Sequence, residues 1–365
     1  MKERFVTRYK KINMETDKVI NYIETSFLQP ILKMKNITDV SYNGESIFYV
    51  DNMRGRQKSN IVVTYTQAKD FLRQIANLCE KQFSYLNPVL DVSAGKYRIN
   101  AVHQTIARRG NDATVTFCMR IASNELKISP NTDFMPAEVA EILDSIISAN
   151  KSLVIGGITG SGKTELQKYL ISRMPMNTRI VAIDNVLELD YQNIYGHLDI
   201  NTWQIDEKQT NYQIQTMVRN ALRNNPDWII VAESRGSEML EVLNSTMTGH
   251  PIITTMHAFD VESMIDRLTN MVMMNDKDMS FEQIKKDVQY HIRFYVYLKK
   301  ESGRNGSIKR YISSICYQGK NSFIPIYKSN GKTKKLYRLT NEIKQELYPE
   351  MEYQSNEENL LEYIG

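Results

Sequence analysis

A chain of 365 residues, 42% hydrophobic and 24% charged, has the make-up of a globular protein and is too long for one core, which predicts two domains. Its 46 basic and 42 acidic residues are well mixed and leave a net charge of +4, too little to mark a nucleic-acid binder. With no run of about eighteen apolar residues, and no signal-peptide core after Met1-Lys2-Glu3-Arg4-Phe5, the chain is expected to lack a transmembrane helix and to be cytoplasmic or membrane-peripheral.

The first stretch reads as a small α+β domain over 1–122. Strand-like runs at 37–42 and 46–50 flank Asn43-Gly44, the pattern of a two-residue hairpin. Ala68, Phe71, Leu72, Ile75, Ala76 and Cys79 repeat at helical spacing. Runs at 97–102 and 113–119 look like further strands, and Arg98 and Arg120 lie on or beside them. Each arginine is a candidate for bidentate phosphate contact. Around Pro130 the pattern dissolves, so a linker is expected over 123–135. Pro136 then suits the first turn of a helix carrying Val139, Ile142, Leu143, Ile146 and Ile147.

From 136 to 319 strands alternate with helices, as in an open parallel sheet. The buried-strand pattern of 152–156 runs into Gly157-Ile158-Thr159-Gly160-Ser161-Gly162-Lys163-Thr164, which fits the phosphate-binding loop G-x-x-x-x-G-K-[ST]. Backbone N–H groups of Gly157, Thr159, Gly160, Ser161 and Gly162 are expected to cradle a nucleoside triphosphate. Lys163 would reach its β/γ-phosphates and Thr164 would hold Mg²⁺. Three further strands end in polar groups: 179–183 at Asp184, 228–232 at Glu233 and 252–256 at His257. Beyond Gly319 the chain is polar, and a separate tail is expected over 320–365. Cys79, Cys118 and Cys316 are odd in number, far apart and flanked by apolar residues, as buried free thiols would be. No Cys or His pair has zinc-ligand spacing.

Phosphate binding becomes hydrolysis only with an oriented water and positive charge near the γ-phosphate. Glu233, just past an apolar strand, is the candidate to activate water. Asp184 and Glu188 are placed to hold Mg²⁺ through water or to bind the attacking water. His257 is placed to donate to a γ-phosphate. Arg235 follows Glu233 by two residues and is positioned to pair with a carboxylate or face a neighbouring subunit, while His250, in Thr248-Gly249-His250, has the weaker case as a nucleotide contact.

These blocks, in this order, resemble the secretion ATPase superfamily, which powers type II and type IV secretion, type IV pili and tight-adherence pili. The resembling segments are 156–164, 179–189, 221–236 and 248–258, similar to the family's Walker A, Asp, Walker B and His boxes. Segments 95–101 and 116–121 are similar to its N-terminal arginine segments. The resemblance implies an α/β fold, with a RecA-like P-loop NTPase motor domain preceded by a smaller α+β domain. It implies a homo-hexameric, Mg²⁺-dependent ATPase with ATP held between the two domains, where Arg98 and Arg120 would reach the phosphates. Interdomain closure would then move a membrane-embedded secretion or pilus platform protein, with the ring peripheral on the cytoplasmic face of the membrane. By the same resemblance Glu233 carries the catalytic-base role.

The chain departs from the family pattern at several positions. The usual Glu-Asp pair of the Asp box reads Asp184-Asn185, Ala232 replaces a common glycine, and Asn225 and Glu165 replace a frequent Arg and Thr. The zinc module of many pilus-extension ATPases is absent, so the chain looks closest to the tight-adherence and conjugative type IV secretion branch. Two alternatives make other demands. A hexameric nucleic-acid translocase needs a basic, aromatic path, and Arg108-Arg109 and 332–335 offer only short clusters, so no sequence-specific nucleic-acid binding is expected. A nucleotide-bound assembly scaffold would form rings with little turnover.

Overall fold

The structure, a computed structural model, describes residues 16–122, 125–184, 198–205, 213–275, 280–303, 307–320 and 322–349. These fall into two compact units. The first holds the residues up to 122 together with Ser302, Gly303, Ser307 and Ile308, and the second holds the rest.

In the first unit, α1 (16–24) and α2 (Gln29–Leu32) precede β1 (Ile37–Tyr42), β2 (Ile47–Asp51), β3 (Gly55–Lys58) and α3 (Tyr65–Leu78). Then come β4 (Val89–Ala94), β5 (Tyr97–Val102), the short β6 (Arg108–Arg109) and β7 (Asp112–Ala113), and β8 (Thr116–Ile121). An antiparallel sheet in the order β3-β2-β1-β8-β5-β4 results. α3 opens on a capping box. Thr64 Oγ1 accepts from the Gln67 N–H at 3.2 Å, and Gln67 Oε1 accepts from the Thr64 N–H at 2.9 Å. Its stripe Ala68, Phe71, Leu72, Ile75 and Ala76 is buried, as the spacing predicts. The β1–β2 hairpin forms, but through residues 43–46 rather than Asn43-Gly44 alone, because the register pairs Tyr42 with Ile47. Cys118 is exposed, contrary to expectation. It alternates with the inward-facing Phe117 and Met119 on β8, and the period of two puts it on the outer face.

The second unit begins with α4 (Ala137–Ser148), β9 (Leu153–Gly157), α5 (Lys163–Ser172), β10 (Arg179–Asp184), β11 (Asp199–Gln204) and α6 (Ile214–Ala221). It continues with β12 (Trp228–Val231), α7 (Met239–Met247), β13 (Ile252–Met256), α8 (Glu262–Met273) and α9 (Phe281–His291). β14 (Phe294–Ser302), β15 (Ile308–Gln318), β16 (Phe323–Ser329), β17 (Lys334–Leu336) and α10 (Asn341–Leu347) complete it. The sheet order is β11-β10-β12-β13-β9-β14-β15-β16-β17, and its strands from β11 to β14 are parallel. Both faces are covered, which is why Trp228–Val231 is an unbroken apolar run with all four residues buried. Trp228 and Ile230 join α4, α5 and α10 on one side, while Ile229 and Val231 join α6, α7, α8 and α9 on the other. This is the α/β, RecA-like arrangement. β13 lies between β9 and β12, which decides what the site can bring together. Among the described residues no helix is long and apolar enough to cross a membrane.

Where a polar tail is expected, the chain instead adds β16, β17 and α10 to this unit. Ile326, Tyr327, Ile343 and Leu347 are buried in the core of the α4 side. β17 is wholly exposed and α10 buries two residues in seven, too few to raise a periodic signal in the sequence.

Candidate functional site

β9 is buried along its whole length and delivers Gly157 at its carboxyl end. A Cβ there would stand 2.6 Å from Ser161 Oγ and 2.7 Å from the Leu298 carbonyl, so only glycine lets the loop close on β14. The loop ends at Gly162, whose φ of 103° lies in the left-handed region just before Lys163 opens α5. Lys163 Nζ donates to the carbonyls of Gly157 at 2.9 Å and Ile158 at 3.2 Å, and the Ser161 N–H donates to Ile158 O at 3.2 Å. Thr159 and Gly160 are exposed at the tip, and Thr164 is part-buried in the first turn of α5. Ser161 Oγ is buried without a hydrogen-bond partner. An unmade hydrogen bond on a buried hydroxyl is costly, and a phosphate oxygen is the acceptor this site lacks. The residues therefore fit a nucleotide's phosphates. The oxygen donors of Thr164 and Asp184 are of the hard type that suits Mg²⁺.

Strand order assembles the second part. β12 ends before Glu233 and β13 before His257, and β13 adjoins β9, so His257 stands between the loop lysine and the glutamate. Lys163 Nζ is 3.5 Å from His257 Nδ1, and His257 Nε2 is 3.0 Å from Glu233 Oε1. Arg235 donates to Glu233 Oε2 at 2.8 Å. An ammonium has no lone pair, so Nδ1 accepts and the neutral ring carries its proton on Nε2. That contact with Oε1 is short but off-axis, for Oε1 is buried and takes no hydrogen bond. Burial alone would raise the Glu233 pKa. The bond and charge of Arg235, with His257 and Lys163 behind them, outweigh it and hold the carboxyl below its ordinary value. His257 is held below its ordinary value by burial first and by the Lys163 charge second, against the pull of Glu233.

Asp184, 4% exposed, ends β10. That strand is separated from β9 by β12 and β13, about 14 Å at ordinary strand spacing. It adjoins the strand of Glu233 rather than the strand that enters the phosphate loop. Glu188 lies outside the described residues. His250 is not brought to the cluster. It precedes β13, at the end of the strand opposite His257, roughly 20 Å away along an extended chain. It contacts Thr248 Oγ1 at 3.2 Å and lines a cleft of about 230 Å³ with Lys151, His291, Arg293 and Glu346. Arg98 and Arg120 belong to the first unit, where they face each other across β5 and β8. Arg98 lies 3.8 Å from Asp91, and Arg120 is also opposite Asp39 on β1. Paired like charges repel, and carboxylates offset them here.

Sequence reasoning missed three residues that touch the loop. Phe134 lies 3.2 Å from where a Cβ on Gly162 would be, Lys300 Nζ is 3.2 Å from the equivalent point on Gly160, and Arg310 Nε donates to Gly160 O at 2.7 Å. No local motif marks them. Their proximity is set by which strands are neighbours.

A sequence-family model described as "Type II/IV secretion system protein" matches residues 104–315, more than half of the chain. An uncharacterized protein of Bacillus anthracis is 26% identical over 299 residues, 78% of this chain and 65% of that protein. The type IV secretion system protein VirB11 of Brucella suis is 30% identical over 177 residues, 47% of this chain and 48% of its own. The chain thus spans just under two thirds of the first relative's length and about half of the second's. The X-ray structure of the Yersinia pseudotuberculosis ATPase DotB superposes with a TM-score of 0.62 at 16% identity, covering 92% of this chain and 85% of that one. At that identity the likeness speaks for the fold alone.

Proposed function

The chain belongs to the type II/IV secretion system protein family, and on that footing we propose that it is a Mg²⁺-dependent ATPase, acting as a homo-hexamer, that powers a bacterial secretion, conjugation or pilus machine at the cytoplasmic face of the membrane. The observation that carries this reading is the chain of contacts Lys163–His257–Glu233–Arg235 beside the phosphate loop.

The phosphate loop binds the triphosphate through its N–H groups, Ser161 Oγ and Lys163, helped by the positive end of α5. Thr164, with Asp184 through water, would hold Mg²⁺, which would offset charge on the phosphoryl oxygens. Arg235 occupies Glu233 Oε2 and fixes the carboxylate plane, leaving the buried Oε1 as the atom that orients the attacking water and takes its proton. The low pKa makes Glu233 a weak base. Phosphoryl transfer asks more for position than for basicity, so this matters little. His257, neutral and tied to Lys163, is placed to follow the γ-phosphate and pass its loss to β13. Arg98 and Arg120 enter by family likeness as phosphate contacts whose engagement couples hydrolysis to movement of a membrane-embedded partner.

Light scattering with ATP turnover on the same samples tests this. A hexamer whose turnover falls by about 100-fold in Arg120→Ala is expected, the size seen when a transition-state charge is lost. A monomer that hydrolyses ATP whether or not Arg120 is present would refute the ring and the arginine role.

A further inference from the structure

β14 runs parallel to β9 and passes close to the phosphate loop, with the Leu298 carbonyl 2.7 Å from where a Gly157 Cβ would be. Two residues on, Lys300 Nζ is 3.2 Å from the equivalent point on Gly160. The chain returns as β15, and Arg310 Nε donates to the Gly160 carbonyl at 2.7 Å. One hairpin therefore meets the loop three times and brings two cations to its outermost glycine, in addition to Lys163.

A trans peptide points its C=O and the following N–H in opposite directions. With Gly160 O held on the outside by Arg310, the Ser161 N–H is turned into the loop. There it meets Ile158 O at 3.2 Å, the carbonyl that also accepts from Lys163 Nζ. Arg310 and Lys300 are both part-buried, and Lys163 is only 8% exposed. Burial holds the Arg310 guanidinium below its ordinary pKa. A polyphosphate seated on this loop would meet the positive charge of these side chains at its outermost turn.

We propose that the β14–β15 hairpin is part of the phosphate site: Arg310 is a positioning residue that sets the Ser161 peptide through the Gly160 carbonyl, and Lys300 is a binding residue for the polyphosphate of the nucleotide. This rests on the ATP reading above. A flexible ammonium is enough to add charge, whereas holding a peptide plane needs a donor at one place. The two residues therefore fail differently when replaced.

The test is equilibrium titration with ATP and with inorganic pyrophosphate, beside steady-state turnover, for Lys300→Ala, Arg310→Ala, Arg310→Lys and Lys163→Ala. Lys300→Ala is expected to weaken ATP and pyrophosphate alike by about tenfold, the loss of one charge-assisted contact. Arg310→Ala is expected to lower kcat as well, and Arg310→Lys to restore part of it, since an ammonium still donates to a carbonyl. Should Arg310→Ala not fold, Lys300→Ala and Arg310→Lys carry the test. If Lys163→Ala loses ATP while Lys300→Ala and the Arg310 variants bind and turn over as wild type, the hairpin role is overturned and the ATP site stands. If Lys163→Ala binds ATP as wild type does, the ATP site itself is overturned.

Discussion

Glu233 holds its two oxygens in different environments. Oε2 takes a charge-assisted bond from Arg235, while Oε1 is buried and accepts none. That asymmetry decides the pH behaviour of the site. Glu233 sits below its ordinary 4.5, so it stays ionised as the pH falls through that value. His257 sits below its ordinary 6.5, so it stays neutral until the pH is lower still. Protonated, it would stop accepting from Lys163 and would repel it, so activity is expected to be flat from neutral pH upward and to fall only below 6.5. In Arg235→Ala the carboxylate loses its bonded cation, and burial is left to push the Glu233 pKa up. The acid limb of kcat should then begin at higher pH, with ATP affinity little changed. A pH–rate profile identical to wild type would show that Arg235 does not tune this group.

At the scale of elements, close approach and edge packing are the sensitive features. Gly157→Ala puts a Cβ within 2.7 Å of both Ser161 Oγ and a β14 carbonyl. Since backbone cannot yield as a side chain can, a stability loss of about 1–3 kcal/mol is expected, with ATP binding lost by isothermal titration. α10 tests the C-terminal additions. Ile343 is 1% exposed in the core shared with α4, and Ile343→Ala should cost about 2–4 kcal/mol by urea midpoint. A midpoint shift under about 0.5 kcal/mol would mean that α10 is not docked in solution. Much of the fold was legible in sequence. The phosphate loop carries its mechanism in eight adjacent residues, α3 and α4 announce themselves by period, and Glu233 and His257 each follow an apolar run. What was hidden depends on pairing. Nothing local says that Arg310 and Lys300 would meet Gly160, or that 323–336 joins the sheet. Short elements with few buried residues are silent to periodicity, and strand order is a long-range property.

For the whole molecule, two units with separate cores are the frame. The first is an antiparallel sheet carrying α3, and the second a mixed nine-stranded sheet. Lys163, His257, Glu233 and Arg235 all lie within the second unit. The first unit's arginine pair, two cations facing across strands, is where coupling to the rest of a machine would be sought. The family supplies the expectation of a ring, and mass measurement decides it. The most direct measurement of the central claim is Mg²⁺-dependent ATP hydrolysis by wild type and Glu233→Gln, with ATP affinity taken on the same preparations. The expected result is turnover that falls by about 100-fold or more in the variant, with ATP bound as tightly as before. Hydrolysis at the wild-type rate by Glu233→Gln, or no hydrolysis by a wild-type protein that binds ATP tightly, would contradict it.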